Sequence, residues 1–482
     1  MPRSSRPKRR FRAAGAPAGN GRAPASARFH VDGYAFRGER DGGVYDAVGI
    51  GAGPFNLSLA ALLDPLKELR ARFYERAPEV RWHPGLMLPE ATIQVSYLKD
   101  LVTLADPTSR YSFLQFLAEH RRLYRFINAA FPRVARREFE QYLRWVARSL
   151  PSLAFGAEVR SVELEGDHLV VEAGAERVRT HALVLGTGLT PEVPECARPF
   201  VGERVFHAYT LLAEPRDWTG KAVAVVGSGQ TGAEVVRHLL SDSRRLPSSV
   251  TWVSRRGNFH PLDDSPFANE LFTPAYAEHF SGLCAPERER LLDEQRLASD
   301  GISMDLLADL YRRLYELEFL EERGRPWRLL PGRALVGMGR EADGSYALEV
   351  AGRGERQAVR ADVVVLATGA AYRLPACLEP LAARIGRDGA ELAVREDFSV
   401  EWDGPPGVRI FAQNAGRRRR GVAEPNLSLM AWRSARIANA LARRHVYDVA
   451  DSPPLVEWEG APSFNGAHLH ERDPHAGAVS PA

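Results

Sequence analysis

Cysteine is scarce in this chain of 482 residues: Cys196, Cys284 and Cys377 are its only three, far apart and without a CxxC pair. That excludes a disulfide framework and a dithiol redox centre, and a reducing cytoplasm is the expected location. No apolar run approaches the roughly 18 residues of a membrane span, and no signal-peptide core follows the basic N-terminus, so no membrane partner is expected. No metal site is expected either. Acids are missing before Asp32, a stretch that carries Arg3, Arg6, Lys8, Arg9, Arg10, Arg12, Arg22 and Arg28. Without those eight charges the net +3 becomes −5, leaving a mildly acidic body with no basic face for nucleic acid. Residues 1–41, rich in Arg, Ala, Gly, Pro and Ser, are expected to form a disordered extension without a role of its own.

What is present is an ordinary globular composition, 45% hydrophobic and 26% charged over 53.3 kDa, enough for a large core and two to four domains. The apolar run Tyr45–Ile50 breaks into Gly49, Gly51 and Gly53, and Leu57–Leu63 continues at helical spacing. A strand, a glycine turn and a helix let backbone N–H groups approach a pyrophosphate at a helix N-terminus. Glu75 closes the next strand, roughly 20 residues on, where an acid bonds a ribose hydroxyl. Lys221–Leu240 repeats the plan: a strand at Ala222–Val226, then Gly227-Ser-Gly229-Gln230-Thr-Gly232, then a helix. Its next strand, Val250–Ser254, ends in Arg255-Arg256, guanidiniums suited to the 2′-phosphate of NADPH.

Between and beyond these units the spacing predicts helices at Ser112–Leu123, Glu138–Arg148, Glu287–Arg296 and Met304–Glu322. Strands are predicted at Val159–Glu163, Leu169–Ala173, Ala182–Leu185, Arg328–Val336 and Tyr346–Val350. Asp362–Gly369 is expected to be the strand by which the chain returns to its first domain. Asp263, Asp264, Asn269 and Asp300 lie in turn-like contexts that suit helix caps as well as a site. Two dinucleotide loops without paired cysteines argue for a flavoprotein that takes hydride from NADPH and uses oxygen as acceptor.

Several stretches resemble the siderophore N-hydroxylating flavin monooxygenases. They are Gly51-Ala-Gly-Pro54-Phe-Asn56-Leu57, Trp82-His83-Pro-Gly85, Gln94–Ser109, Phe139–Trp145, Asp264–Phe272, Ser299-Asp300-Gly-Ile302 and Glu424–Ser434. The last two favour the lysine N6-monooxygenase branch, which includes relatives acting on diamines, over the ornithine branch. The resemblance implies an α/β fold with two Rossmann-like domains, for FAD and NADPH, and a small helical substrate domain. The expected boundaries are 42–200 and 360–445 for FAD, 201–262 and 326–359 for NADPH, 263–325 for the helical region, and a loose tail over 446–482. It also implies N-hydroxylation of the terminal amine of L-lysine through a C4a-hydroperoxyflavin, with a diamine or L-ornithine as alternative substrates and O2 as co-substrate. A homo-tetramer is the family's tendency.

By the same resemblance, Gly49, Gly51, Gly53, Pro54, Asn56, Glu75, Trp82 and His83 belong to the FAD site, with Asn56 in place of the usual third glycine. Gln94 is expected between flavin and nicotinamide. Gly227, Gly229, Gln230, Gly232, Arg255 and Arg256 belong to the NADPH site. Lys99 is expected to face a substrate carboxylate, Asn269 to bond substrate and nucleotide ribose, and Ser428 to sit beside the reacting amine. Asp300 is expected to accept an ammonium. Two departures stand out: Ala370 replaces a family tyrosine, and Arg420-Gly421 replaces a His-Gly pair. A dinucleotide-binding protein without catalysis is the alternative that those departures raise.

Overall fold

The computed structural model describes residues 43–449 and 454–458. The expected extension over 1–41 and most of the expected tail lie outside them.

Ala47–Ile50 is buried at all four positions, as a strand covered on both faces must be. It occupies the middle of a parallel sheet with the order Arg409–Ala412, Ala182–Leu185, Ala47–Ile50, Ala71–Glu75, Leu153–Phe155. Helix Pro54–Leu63 follows the glycine turn, with Gly53 as N-cap and Pro54 at the first helical position, where its missing N–H costs nothing. It is apolar nearly all round because the sheet covers one side and the last helix, Met430–Ala442, the other. An antiparallel sheet, Val159–Glu165, His168–Ala173 and Glu176–Thr180, is inserted before Ala182–Leu185.

The second parallel sheet has the order Trp327–Leu330, Ser249–Val253, Ala222–Val226, Val363–Leu366, Val205–His207. This corrects one expectation. Val363–Leu366 pairs with Ala222–Val226, so it belongs with the second glycine loop and does not return to the first domain. A four-residue buried apolar run suits the centre of either sheet, and its composition carries no address. The return follows it, where Ala370–Ala371 pairs antiparallel with Thr190–Pro191, and the strand that completes the first sheet is Arg409–Ala412.

The predicted strand Arg328–Val336 is two elements. Pro331-Gly332, with Gly332 at φ +68, turns the chain from Trp327–Leu330 into an antiparallel sheet of Ala334–Arg340, Tyr346–Gly352 and Glu355–Ala361. Likewise Ser112–Leu123 is not one helix. Phe113–Glu119 and Leu123–Ala129 are separated at Arg121, which adopts φ 55. Five α-helices, Pro266–Asn269, Pro274–Gly282, Ala285–Glu294, Arg296–Asp300 and Met304–Tyr315, follow in the 263–325 region.

The start of the expected loose tail is held in place. Asn439 Oδ1 accepts from Val446 N and Tyr447 N at 2.8 and 2.9 Å, and the Trp458 ring packs 4.6 Å from that of Tyr276. No helix among the described residues is long and apolar enough to cross a membrane.

Under the last helix lies a buried ion pair. Arg433, 1% exposed, pairs with the Glu424 carboxylate, 2.9 Å from Oε2, and donates to the Glu424 carbonyl at 2.7 Å. Removing one partner strands the other charge in a dry interior. Arg433→Met is therefore expected to lower the urea-unfolding free energy by about 3–5 kcal/mol, and adding Glu424→Leu to recover most of it.

Candidate active site

The first glycine turn is shaped by its surroundings. Gly51 adopts φ +89, and a Cβ there would lie 2.5 Å from the Gly186 carbonyl, whereas a Cβ at Gly53 would meet nothing within 4 Å. Gly53 therefore opens onto free space at the N-terminus of helix Pro54–Leu63, where unsatisfied N–H groups gather. Glu75 stands at the same turn. Its Oε2 accepts from Ala52 N at 2.9 Å and its Oε1 from Ala77 N at 2.8 Å, leaving lone pairs for a further donor.

Two residues expected to contact the cofactor serve the scaffold. Gly49 lies inside its strand, where a Cβ would overlap the Phe73 ring at 2.0 Å. Asn56 is fully buried. Its Nδ2 donates to the Ile50 and Gly51 carbonyls at 3.1 and 2.8 Å, while its Oδ1 accepts from Gln413 Nε2 at 2.8 Å. It holds the loop and has no group left for a ligand.

The Trp82-His83-Pro84-Gly85 stretch docks onto the second half of the molecule: Gly85 packs so closely on the Tyr209 carbonyl that a Cβ would lie 1.9 Å from it. Trp82 packs at a tilt between His83 and Phe139, with centroids 5.2 and 5.3 Å away. His83 keeps an open face, yet protein surrounds the ring on most sides. That surrounding and the nearby Arg136 guanidinium push its pKa down to about 4, so it is neutral at pH 7. Beyond it, the Tyr209 ring lies 4.7 Å from His207, whose Nε2 donates to the Gly369 carbonyl at 3.0 Å. These rings stand beside the turn where Ala370 lacks one. Tyr372, two residues later, is turned into the core.

Gln94 has a buried Nε2 without a hydrogen-bond partner, an uncommon state for an amide in a dry interior. An orphaned buried amide donor fits a flavin-type ligand rich in acceptors. Lys99 and Ser428 meet directly: Lys99 Nζ donates to Ser428 Oγ at 3.0 Å, and Ser428 Oγ donates to Asn426 Oδ1 at 2.8 Å. The sequence reading put these two residues at opposite ends of the substrate, but here they form one pair. Burial lowers the Lys99 pKa from its ordinary value. Asp100 anchors the backbone beyond it by accepting from Val102 N, Thr103 N and Phe113 N.

At the second loop, Gly227 adopts φ +121 against the Ala367 carbonyl, and Gly232 packs on the Gly227 carbonyl. The Gln230 amide is fully engaged: Nε2 donates to Glu234 and Oε1 accepts from Ser303 N. Arg255 is exposed, and Arg256 Nη1 donates to the Asp300 carbonyl at 2.6 Å. Asp300 itself corrects an expectation. Its carboxylate lies among Arg256, Arg296 and Arg417, whose guanidiniums already satisfy its charge, so it is not set to receive a substrate ammonium. Asn269 is exposed, and its Nδ2 donates to the Asp264 and Ser265 carbonyls around its own short helix.

Three residues missed in the sequence join these parts. Arg133 donates to the Gln94 carbonyl at 3.0 Å and to the Asp264 carboxylate, tying the Gln94 segment to the Asn269 turn. Arg136 makes a buried two-bond contact with Glu234 that clamps the two halves together. Neither arginine has a local sequence signal among so many. Asn426 did have one, since Asn-x-Ser before a helix suits an Asx cap. Arg420, the other departure, is buried over the Phe398 ring at 4.5 Å and donates to Ser281 Oγ at 2.9 Å. Burial pushes its pKa down to about 10, so it stays charged at pH 7. Among the described residues no group of three or more His, Cys, Asp or Glu could hold a metal ion.

Comparison with known proteins gives a consistent result. The family described as L-lysine 6-monooxygenase/L-ornithine 5-monooxygenase matches residues 43–373. The L-lysine N6-monooxygenase of Escherichia coli is 39% identical over 417 residues, covering 86% of this chain and 98% of that protein. The FAD-bound cadaverine monooxygenase of the desferrioxamine pathway of Erwinia amylovora superposes with a TM-score of 0.82 at 30% identity, covering 88% of this chain and 100% of that one. The ornithine N-hydroxylase of Kutzneria sp. 744, solved with reduced FAD, NADP+ and L-ornithine, superposes with a TM-score of 0.75 at 30% identity, covering 83% and 99%.

Asn56→Ala removes three hydrogen bonds under the first loop. It is expected to cost about 1–3 kcal/mol in a urea melt, since buried carbonyls lose their donor. It should also reduce the flavin absorbance retained per chain.

Proposed function

Since the chain belongs to the L-lysine 6-monooxygenase/L-ornithine 5-monooxygenase family, we propose that it N-hydroxylates the terminal amine of L-lysine, with FAD and NADPH, for a hydroxamate siderophore. FAD, when bound, supplies the redox chemistry: electrons from NADPH activate O2, one oxygen atom ends on the amine nitrogen and the other leaves as water. The turn at Gly51–Gly53, with Glu75 behind it, would hold the FAD pyrophosphate and ribose. Gln94 would offer its orphaned amide to the flavin side. Gly227–Gly232 would receive the pyrophosphate of NADPH.

The Lys99–Ser428 contact is the observation that carries the substrate reading. A half-buried ammonium here attracts a carboxylate and repels the second ammonium of a diamine. Its identity adds weight, because the chain has only four lysines beside sixty arginines. A lysine has a flexible stem and a compact charge that can leave Ser428 for a carboxylate, whereas a planar guanidinium would be committed to a fixed geometry. Once Lys99 turns away, the Ser428 hydroxyl, oriented by Asn426, can accept an N–H of the substrate amine. The nitrogen lone pair is then free to attack. An ammonium with a pKa near about 10.4 must first lose its proton, and entry into a dry site favours that loss. The contribution of these residues is positioning and desolvation.

A diamine is the second reading, favoured by the similarity to the cadaverine monooxygenase. Oxygen uptake and hydroxylamine formation across lysine, ornithine, cadaverine and putrescine decide between them. Product from a diamine with none from lysine would overturn the substrate assignment, and product from none of the four in flavin-replete protein would overturn the activity.

Lys99→Ala should raise KM for lysine about tenfold or more, the loss of one charge-assisted bond, and leave KM for a diamine unchanged or lower. Equal losses for both would remove the carboxylate role. Because burial lowers the Lys99 pKa, its charge is complete at low pH and disappears earlier in an alkaline titration than that of a free lysine. KM for lysine should therefore climb with rising pH below the ordinary value of 10.5, and Lys99→Ala should flatten that rise.

A further inference from the structure

Four guanidiniums and one carboxylate meet beside the second glycine loop. Arg255 and Arg256 follow strand Ser249–Val253, Arg296 begins helix Arg296–Asp300, and Arg417 opens the helical turn Arg417–Arg420. The Asp300 carboxylate lies 4.0 Å from Arg256 Nη2, 3.8 Å from Arg296 Nε and 3.8 Å from Arg417 Nη1. All three distances exceed a hydrogen bond, so the Asp300 carboxylate is a shared counter-ion bonded directly to none of them, while its backbone carbonyl is held by Arg256 Nη1 at 2.6 Å. Ser299 Oγ bridges the group, donating to Asp300 Oδ1 at 2.8 Å and accepting from Arg417 Nη2 at 3.1 Å. The Asp300 carbonyl lies over the loop, 3.9 Å from where a Cβ on Gly229 would stand. Arg255 has no side-chain partner among the described residues. One carboxylate among four guanidiniums leaves a concentrated positive charge at a half-open surface.

We propose that Arg417 is a ligand of a phosphate group of the bound nicotinamide nucleotide, and that Asp300 is the built-in counter-ion the phosphate displaces. This rests on the NADPH-dependent reading above. A phosphate offers oxygens that guanidiniums bond in pairs, and it can replace a carboxylate held by charge alone without breaking a direct hydrogen bond to it. Arg417 comes from the stretch between strand Arg409–Ala412 and Ser428, on the FAD side, whereas Arg255, Arg256 and Gly229 belong to the second sheet. A phosphate held by both would fasten the nucleotide half to the same stretch that presents Asn426 and Ser428 to the amine. Two phosphate sources share this chemistry, the 2′-phosphate and the pyrophosphate.

The test is calorimetric titration of the full-length, FAD-loaded protein with two fragments: 2′,5′-ADP, which has the 2′-phosphate, and ADP-ribose, which has the pyrophosphate alone. Wild-type binding of NADP+ checks the underlying cofactor reading separately. Arg417→Gln should weaken one fragment about tenfold, as expected for the loss of a charge-assisted contact, and the fragment affected identifies the phosphate. Arg417→Lys, which keeps the charge but loses the fork, should fall between, and serves if the Gln variant fails to fold. Asp300→Asn should tighten the same fragment and increase its sensitivity to salt, because more of the guanidinium charge is then left uncompensated. Unchanged affinity for both fragments in the Arg417 variants would overturn the assignment, and weaker binding in Asp300→Asn would overturn the counter-ion role.

Discussion

The first cradle depends on one carboxamide, that of Asn56. Its Nδ2 bonds the Ile50 and Gly51 carbonyls, and its Oδ1 takes the Gln413 amide. The backbone N–H of Gln413 in turn reaches the Leu185 carbonyl. The C-terminal ends of three parallel strands, Ala47–Ile50, Ala182–Leu185 and Arg409–Ala412, are thus joined by one network at the place where such sheets bind ligands. A glycine in the usual fingerprint lets helix and strand approach closely. Asparagine fills that space and satisfies the strand-end carbonyls instead. The arrangement requires Gly186, because a Cβ there would lie 2.4 Å from the Asn56 side chain.

Around that anchor several arginines join the two nucleotide halves, beside the apolar docking of Leu86, Leu88 and Ala91 on the second core. Arg136 grips Glu234, Arg133 spans the Gln94 segment and the Asn269 turn, and Arg417 reaches the Ser299-Asp300 corner. A guanidinium suits each place because it makes several bonds in a fixed plane and keeps its charge when buried. Lys99 is the exception inside the site, and its chemistry differs for the same reason: it can move and it can lose its proton. The chain crosses between the halves at the antiparallel pair of Thr190–Pro191 and Ala370–Ala371, so these contacts decide how the halves face each other.

The departures from the family pattern have local physical answers. Where Ala370 lacks a ring, His207 and Tyr209 stand beside Gly369. Where Arg420 replaces histidine, its charge lies over Phe398, a residue held at φ 64. Asp300 shows the opposite lesson. Its motif suggests an ammonium acceptor, but Arg296 one helical turn before it and two arginines from distant parts of the chain, Arg256 and Arg417, surround its carboxylate. No spacing within Ser299–Ile302 could have revealed them.

Local order was legible in the residues themselves. Glycine turns after buried runs, acid or arginine at the next strand end, and helical spacing depend on backbone sterics and periodicity, which act within a few residues. They were enough for two Rossmann-like units and their cofactors. Which sheet Val363–Leu366 joins was not legible, because strand pairing is a choice among distant partners of equal composition. Nor was the meeting of Lys99 with Ser428, separated by most of the chain. Those contacts come from packing two sheets and a last helix together, and only the tertiary structure brings the groups within hydrogen-bonding reach.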